Sequence, residues 1–234
     1  MIQISVINES TLLSDSAVSA ILPALQTQWN RDLASVWSVE EVSLALVPKS
    51  TQPAPGSYWM VFLDNSDQAG ALGYHDLTPE GLPLAKIFVE TANEAGEPVN
   101  LVASHEMCEM AVDPYINCAF QDLSGYFWAG EVCDPVEAPQ YAYQIDGVTV
   151  SDFVTPAYFG YEYASGPYDF KGYASGPFVV LPGGYAQVFV PRFGWIQITG
   201  DDASKGSRAY PHPGSRRERR RRGRANWRRS VLQR

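Results

Sequence analysis

The chain is short of cysteine, of histidine and, over most of its length, of positive charge. Its three cysteines, Cys108, Cys118 and Cys133, are too few and too unevenly spaced for a disulfide framework, and none forms a Cys-x-x-Cys pair. They are expected as small buried side chains. Only three histidines are present, His75, His105 and His212, so a metal site has few imidazoles to draw on. No apolar run approaches the length of a membrane span. The segment Met1 to Glu9 has neither a basic leader nor an apolar signal core, which makes a cytoplasmic location the expectation, with leaderless export as the other route.

Positive charge is scarce until the end. Before Ser215, seven basic residues face 25 acidic ones, a balance of −18; from Ser215 onward, ten arginines face the single Glu218, a balance of +9. An acidic body repels nucleic acid and attracts cations, including metals. The Arg block from Arg216 to Arg224 has no apolar period. It invites a nucleic-acid or anionic-surface reading, but nothing in the body supports that work, so residues 201–234 are expected to be an appendage. A hydrophobic content of 45% with 18% charged residues places the remainder, 1–200, among globular domains.

The periodicity sets an order of elements. Ile2, Ile4 and Val6 alternate as a first strand. Ser14-Asp15-Ser16 offers a helix cap, and apolar residues then recur at helical spacing from Val18 to Val36, with Pro23 either kinking this helix or opening it. Residues 41–47 form a second strand, and the continuous apolar run Tyr58–Leu63 a central one covered on both faces. A weak, exposed strand is expected near 70–76, another strand at 84–89, a turn at 93–96, and a helix from Asn100 ended by Asp113-Pro114. This alternation predicts a mixed sheet with helices on one side. Beyond Pro114 the chain turns rich in Gly, Pro and Tyr. There we expect a hairpin at 142–150 turning on Asp146-Gly147 and short strands at 178–181, 186–190 and 195–198. The class is α+β, with a 1–114 subdomain, a mainly β 115–200 subdomain and the tail.

The chemistry concentrates in the second helix. His105 and Glu109 are four residues apart and project from one face, while Glu106 sits on its flank. This is the spacing of a His-Glu-x-x-His metal helix with glutamate in place of the second histidine. His105 and Glu109 are thus candidate ligands, and Glu106 a general base.

The element order over residues 1–114 resembles the N-terminal subdomain of the zincin metallopeptidases. His105-Glu106-Met107-Cys108-Glu109, followed by Asp113-Pro114 and later Glu131-Val132-Cys133-Asp134, also resembles bacterial proteins with His-Glu-x-x-Glu-x-x-x-Asp-Pro and, more distantly, plant exordium-like proteins. The resemblance implies a metal-dependent hydrolase, foremost a zinc metallopeptidase acting on a peptide or protein. Glu131, 22 residues past Glu109, is similar in spacing to the third ligand of the gluzincin branch. Asp134 is the other candidate, as a ligand or as a group orienting His105. Asp113 joins the site or holds the helix end. Tyr158 or His75 is assigned to the oxyanion. One histidine with two carboxylates neutralises a divalent ion and weakens its Lewis acidity, and such hard donors also admit manganese or calcium. A non-catalytic metal-binding protein of the same fold, or a phage- or surface-associated structural module, is the alternative.

Overall fold

The computed structural model describes residues 1–68, 70–160 and 165–200. The Arg-rich segment 201–234, with His212, lies outside the described residues. The fold is α+β. Its main sheet has the strand order β2-β1-β3-β5-β4, built from β1 (Ile2–Asn8), β2 (Val42–Leu46), β3 (Tyr58–Leu63), β4 (Gly73–Leu77) and β5 (Pro83–Phe88). All neighbours are parallel except β4, which runs antiparallel to β5 at the edge.

Between β1 and β2 a long helical stretch runs as α1 (Asp15–Thr27), a π-helical segment (Gln28–Leu33) and α2 (Ala34–Trp37). Ser14 caps α1 by accepting the Ala17 N–H at 3.2 Å. Pro23 lies inside α1 and does not open it. The stretch ends at Ser38, in the left-handed region.

One face of the sheet carries the core. Register sets Val6, Met60 and Ala85 in a row across β1, β3 and β5, and all three are fully buried. Val18, Leu25 and Trp29 of α1 and Met107 of α4 (Val99–Val112) join them in one apolar cluster, so both helices cover the same face. The double coverage expected for Tyr58–Leu63 is therefore not found. Met60 and Phe62 are fully buried while Trp59 and Val61 are half-buried. Half-buried aromatic and branched residues on the second face make a continuous apolar run without a second layer of helices.

Other departures are local. The turn expected at 93–96 is the end of a short helix, α3 (Val89–Ala95), stopped at Gly96. Residues 178–181 form no strand; Leu181 instead donates its N–H to the Pro135 carbonyl. A second sheet, ordered β11-β10-β7-β6, uses two short strands the periodicity does not reveal, β6 (Ala119–Gln121) and β7 (Phe127–Ala129). Three residues are too few to display a period. The predicted hairpin is present as β8 (Tyr143–Ile145) and β9 (Val148–Val150), with Asp146 and Gly147 both at positive φ as a type I′ turn requires. β10 (Tyr185–Val190) and β11 (Gly194–Thr199) complete the second sheet. The apolar cluster runs from Ile4 to Ile196, so the 1–114 and 115–200 portions share one core. Among the described residues no helix is long and apolar enough to cross a membrane.

Candidate metal centre

The motif helix, α4, is buried on every side. Every residue from Leu101 to Ala111 is inaccessible or nearly so, including Ser104, His105, Glu106 and Glu109. Four polar side chains in such a position are costly unless each is satisfied. Ser104 is satisfied structurally: its hydroxyl donates to Gln28 Oε1 at 2.8 Å and accepts the Ser151 N–H at 2.7 Å. Gln28, the first residue of the π-helical segment, closes the loop by donating to the Ser151 carbonyl. This network fixes the rotation of α4 about its axis, and with it the direction of His105 one residue later.

Asp113 holds the end of the helix. Its carboxylate accepts the N–H groups of Asn117 and Cys118 at 2.8 and 2.9 Å, and its own N–H closes the last turn on the Glu109 carbonyl. The chain then returns through β6 and β7 to Glu131 and to Asp134, which opens a short 3-10 turn.

His105, Glu106, Glu109, Glu131 and Asp134 line one cavity of about 510 Å3, joined by His75 from β4. None of the six is more than 9% exposed. His75 arrives by register: it pairs with Ala85 at the end of the buried Val6–Met60–Ala85 row, and so faces α4. The strand expected to be exposed is an edge strand whose inner face is covered. Gly73 shares that face. A Cβ there would stand 2.8 Å from Glu106 Cγ and Oε1 and 2.9 Å from the Lys86 carbonyl, so only glycine lets Glu106 lie against β4.

Two overlapping sets of possible metal donors share Glu109: His105, Glu109 and Asp134, and His75, Glu109 and Glu131. Their geometries differ. His105 presents a single nitrogen, Nε2, at 3.3 Å from Glu109 Oε1 and 3.2 Å from Asp134 Oδ1. Two donors bound tetrahedrally to one zinc at about 2.0–2.2 Å stand about 3.3–3.6 Å apart, so His105 Nε2 stands from each carboxylate oxygen at close to the separation of two ligands on one ion. His75 instead turns opposite nitrogens to its neighbours: Nδ1 is 3.4 Å from Glu109 Oε2 and Nε2 is 3.5 Å from Glu131 Oε2. Its ring lies between two carboxylates and does not aim one nitrogen at a shared point. The two residues left open by the sequence as third ligand thus fall in different sets, Asp134 with His105 and Glu131 with His75, and both sets include Glu109.

The electrostatics agree with a cation site. Burial opposes charge on His105, yet the Glu109 carboxylate and the hydrogen bonds to Asp134 and Glu109 hold its pKa well above the ordinary value. Burial likewise opposes charge on Glu109, and His105 and His75 overcome it and hold its pKa well below the usual carboxylate range. Asp134 is pushed up to about 8 by burial and by the Glu109 charge. His105 Nε2 lies between the Glu109 and Asp134 carboxyl groups, a set of donors that could hold a divalent ion.

Of the two oxyanion candidates, His75 lines the cavity and Tyr158 does not. Tyr158 is fully buried against Phe159 and Phe178; the two ring nitrogens of His75 lie 3.4 and 3.5 Å from the Glu109 and Glu131 carboxylates. The tyrosine on the cavity wall is Tyr185, the first residue of β10, which hydrogen-bonds Asp134. Burial and the charges of Asp134 and Glu137 hold its pKa well above that of free tyrosine, so it keeps its proton and donates. Nothing local marks Tyr185 among 13 tyrosines. Cys108 and Cys133 are buried and free, and burial with their mutual contact pushes the Cys133 thiol well up, as expected of packing residues.

Comparison with family models, with curated proteins and with solved structures returns no match.

Proposed function

We propose that this protein is a metal-dependent hydrolase, foremost a zinc peptidase of zincin type. The observation that carries the reading is His105 Nε2 at 3.2 and 3.3 Å from the Asp134 and Glu109 carboxylates, in a cavity that also holds Glu106. The element order supports it too: a mixed sheet ends in an antiparallel edge strand, β4, and the motif helix α4 packs against that strand.

His105, Glu109 and Asp134 would hold the ion. A bound zinc, or another divalent ion such as manganese or calcium, would supply a Lewis acid and lower the pKa of a bound water. Glu106, which lines the same cavity and lies against Gly73, would take a proton from the attacking water and return it to the leaving amine. Tyr185, protonated and at Asp134, would turn its one O–H from Asp134 to the oxygen that becomes negative in the transition state. β4 ends the strand order, so among the described residues its outer edge has no strand partner; an extended peptide can pair there. His75, between Glu109 and Glu131, orients the free oxygen of Glu109 and so presents Oε1 to the ion.

The test is metal analysis of the purified protein followed by peptide cleavage with wild type and Glu106→Gln. One ion per chain, with cleavage lowered about a hundred- to ten-thousandfold by Glu106→Gln, is the expected result. Absence of any divalent ion after purification and zinc reconstitution would remove the site.

A further inference from the structure

The second sheet has two faces of opposite character. Ala186 and Val188 of β10 and Ile196 of β11 are buried in the core. Their neighbours point the other way, and register groups them in three steps: Tyr185 opposite Thr199, Gln187 opposite Gln197, Phe189 opposite Trp195. Phe189 also pairs with Phe127 of β7. Tyr185, Gln187 and Gln197 line the cavity of the metal centre. One step further along the same face stands a row of three aromatic rings, Trp195–Phe189–Phe127, with centroids 5.7 and 6.5 Å apart. Phe127 is 38% exposed. The cavity wall and the aromatic row are thus one continuous surface.

We propose that this row is a substrate subsite that takes an apolar or aromatic side chain of a peptide lying in the cleft. The proposal rests on the peptidase reading for its occupant. Three features select that occupant. Continuity comes first: a chain occupying the cavity beside Tyr185 has this face as its floor when it leaves. Reach comes second: Phe189 lies four residues beyond Tyr185, about 13 Å along the strand, which an extended peptide covers in three to four residues. Ring orientation comes third. The rings meet at 65° and 62°, edge to face, so a further aromatic ring or a branched apolar side chain can pack on them in the same manner, whereas a flat oligosaccharide needs rings lying in one plane. Gln187 and Gln197, between cavity and row, supply amide donors and acceptors for the backbone of the bound peptide.

Binding is measured on the full chain carrying Glu106→Gln and loaded with zinc, so that no cleavage intervenes. Two short labelled peptides are compared, identical except for Phe or Ser at the third and fourth positions from their centre. The Phe peptide should bind roughly tenfold tighter, the scale of one well-packed aromatic contact. Phe127→Ser should bring it down to the Ser peptide, whose affinity stays the same and reports an intact cleft; Phe127→Leu should keep part of the preference. Equal affinity for the two peptides, or a preference untouched by Phe127→Ser, overturns the subsite. So does competition by a neutral oligosaccharide in place of the Phe peptide. Wild-type cleavage, measured in parallel, separates the two readings. A Phe127-dependent preference without cleavage of either peptide defeats hydrolysis and leaves the subsite standing. Cleavage of both peptides with equal affinity does the reverse.

Discussion

Glu109 Oε2 lies 3.4 Å from Nδ1 of His75, a contact that ties the motif helix to the edge strand of the main sheet. Glu109 thereby divides its two oxygens between two histidines, since Oε1 faces His105 at 3.3 Å. A glutamate in place of the usual second histidine can do this because a carboxylate has two acceptor atoms pointing apart. The glutamate of the motif is matched by a second histidine supplied from another element.

Removing His75 should weaken metal binding without abolishing it. His75→Ala leaves Glu109 and Glu131 facing each other across the vacated ring, so Glu109 loses its orientation. Zinc affinity should fall about ten- to a hundredfold, the usual cost of losing a group that orients a ligand. Competition with a chromogenic chelator measures it; an unchanged affinity would place His75 outside the site.

The third ligand is decided by a pair of variants. Asp134→Ala should lose the ion, whereas Glu131→Gln, which keeps size and hydrogen bonding, should retain it at about one per chain. The opposite pattern, read by elemental analysis after desalting, would move the site onto the His75, Glu109 and Glu131 set.

Gly73→Ala tests the position of Glu106 without touching a ligand. The added Cβ meets Glu106 Cγ and Oε1 at 2.8 Å and the Lys86 backbone carbonyl at 2.9 Å. The Glu106 side chain is the softer neighbour and moves, while the contact with the Lys86 carbonyl requires a small shift of β4 against β5. Cleavage should drop at least about tenfold, as expected when a base is displaced by even an ångström, with metal content unchanged. Full activity in this variant would show that Glu106 needs no fixed place.

Stability should fall towards alkaline pH through a second acidic pair. Asp152 is buried beside Asp169, and burial together with that neighbour pushes its pKa from 3.8 up to about 9. A raised carboxyl pKa means that the folded state holds a proton the unfolded chain releases. The stabilisation is complete below about pH 4, declines by at most about 1.4 kcal/mol per pH unit, and is gone above about pH 9. Asp152→Asn stays neutral at every pH. Its melting temperature should therefore gain on wild type steadily between pH 5 and 9, and parallel curves would count against the shared proton.

Ser104→Ala should destabilise the protein by about 1–3 kcal/mol, because it leaves Gln28 Oε1 and the Ser151 N–H buried without their shared partner. Denaturant unfolding measures the loss. Some loss of zinc affinity should accompany it, since the same network sets the direction of His105.

The parts of this molecule that depend on neighbours in the chain were legible. The α1 cap at Ser14, the strands at 2–8 and 58–63, the motif helix with its end at Asp113 and the Asp146-Gly147 hairpin all follow from spacing and turn chemistry. His105, Glu106 and Glu109 were legible for the same reason, because one helix carries all three. Short elements were not: α3, β6 and β7 are three to seven residues long, too brief for a period to stand out from its surroundings.

What the amino-acid sequence determined by itself is the chemistry available on one helix: an imidazole and two carboxylates at fixed angles. Tertiary structure decided who meets them. Sheet register brings His75 to the inner face of an edge strand, and the return through β6 and β7 brings Asp134 within 3.2 Å of His105, 29 residues along the chain. β10 sets Tyr185 on the wall that Tyr158 does not reach. The physical reason is that helical spacing is set by local hydrogen bonds. Contacts between strand, helix and loop are set instead by how the shared core packs, and no local pattern records that packing.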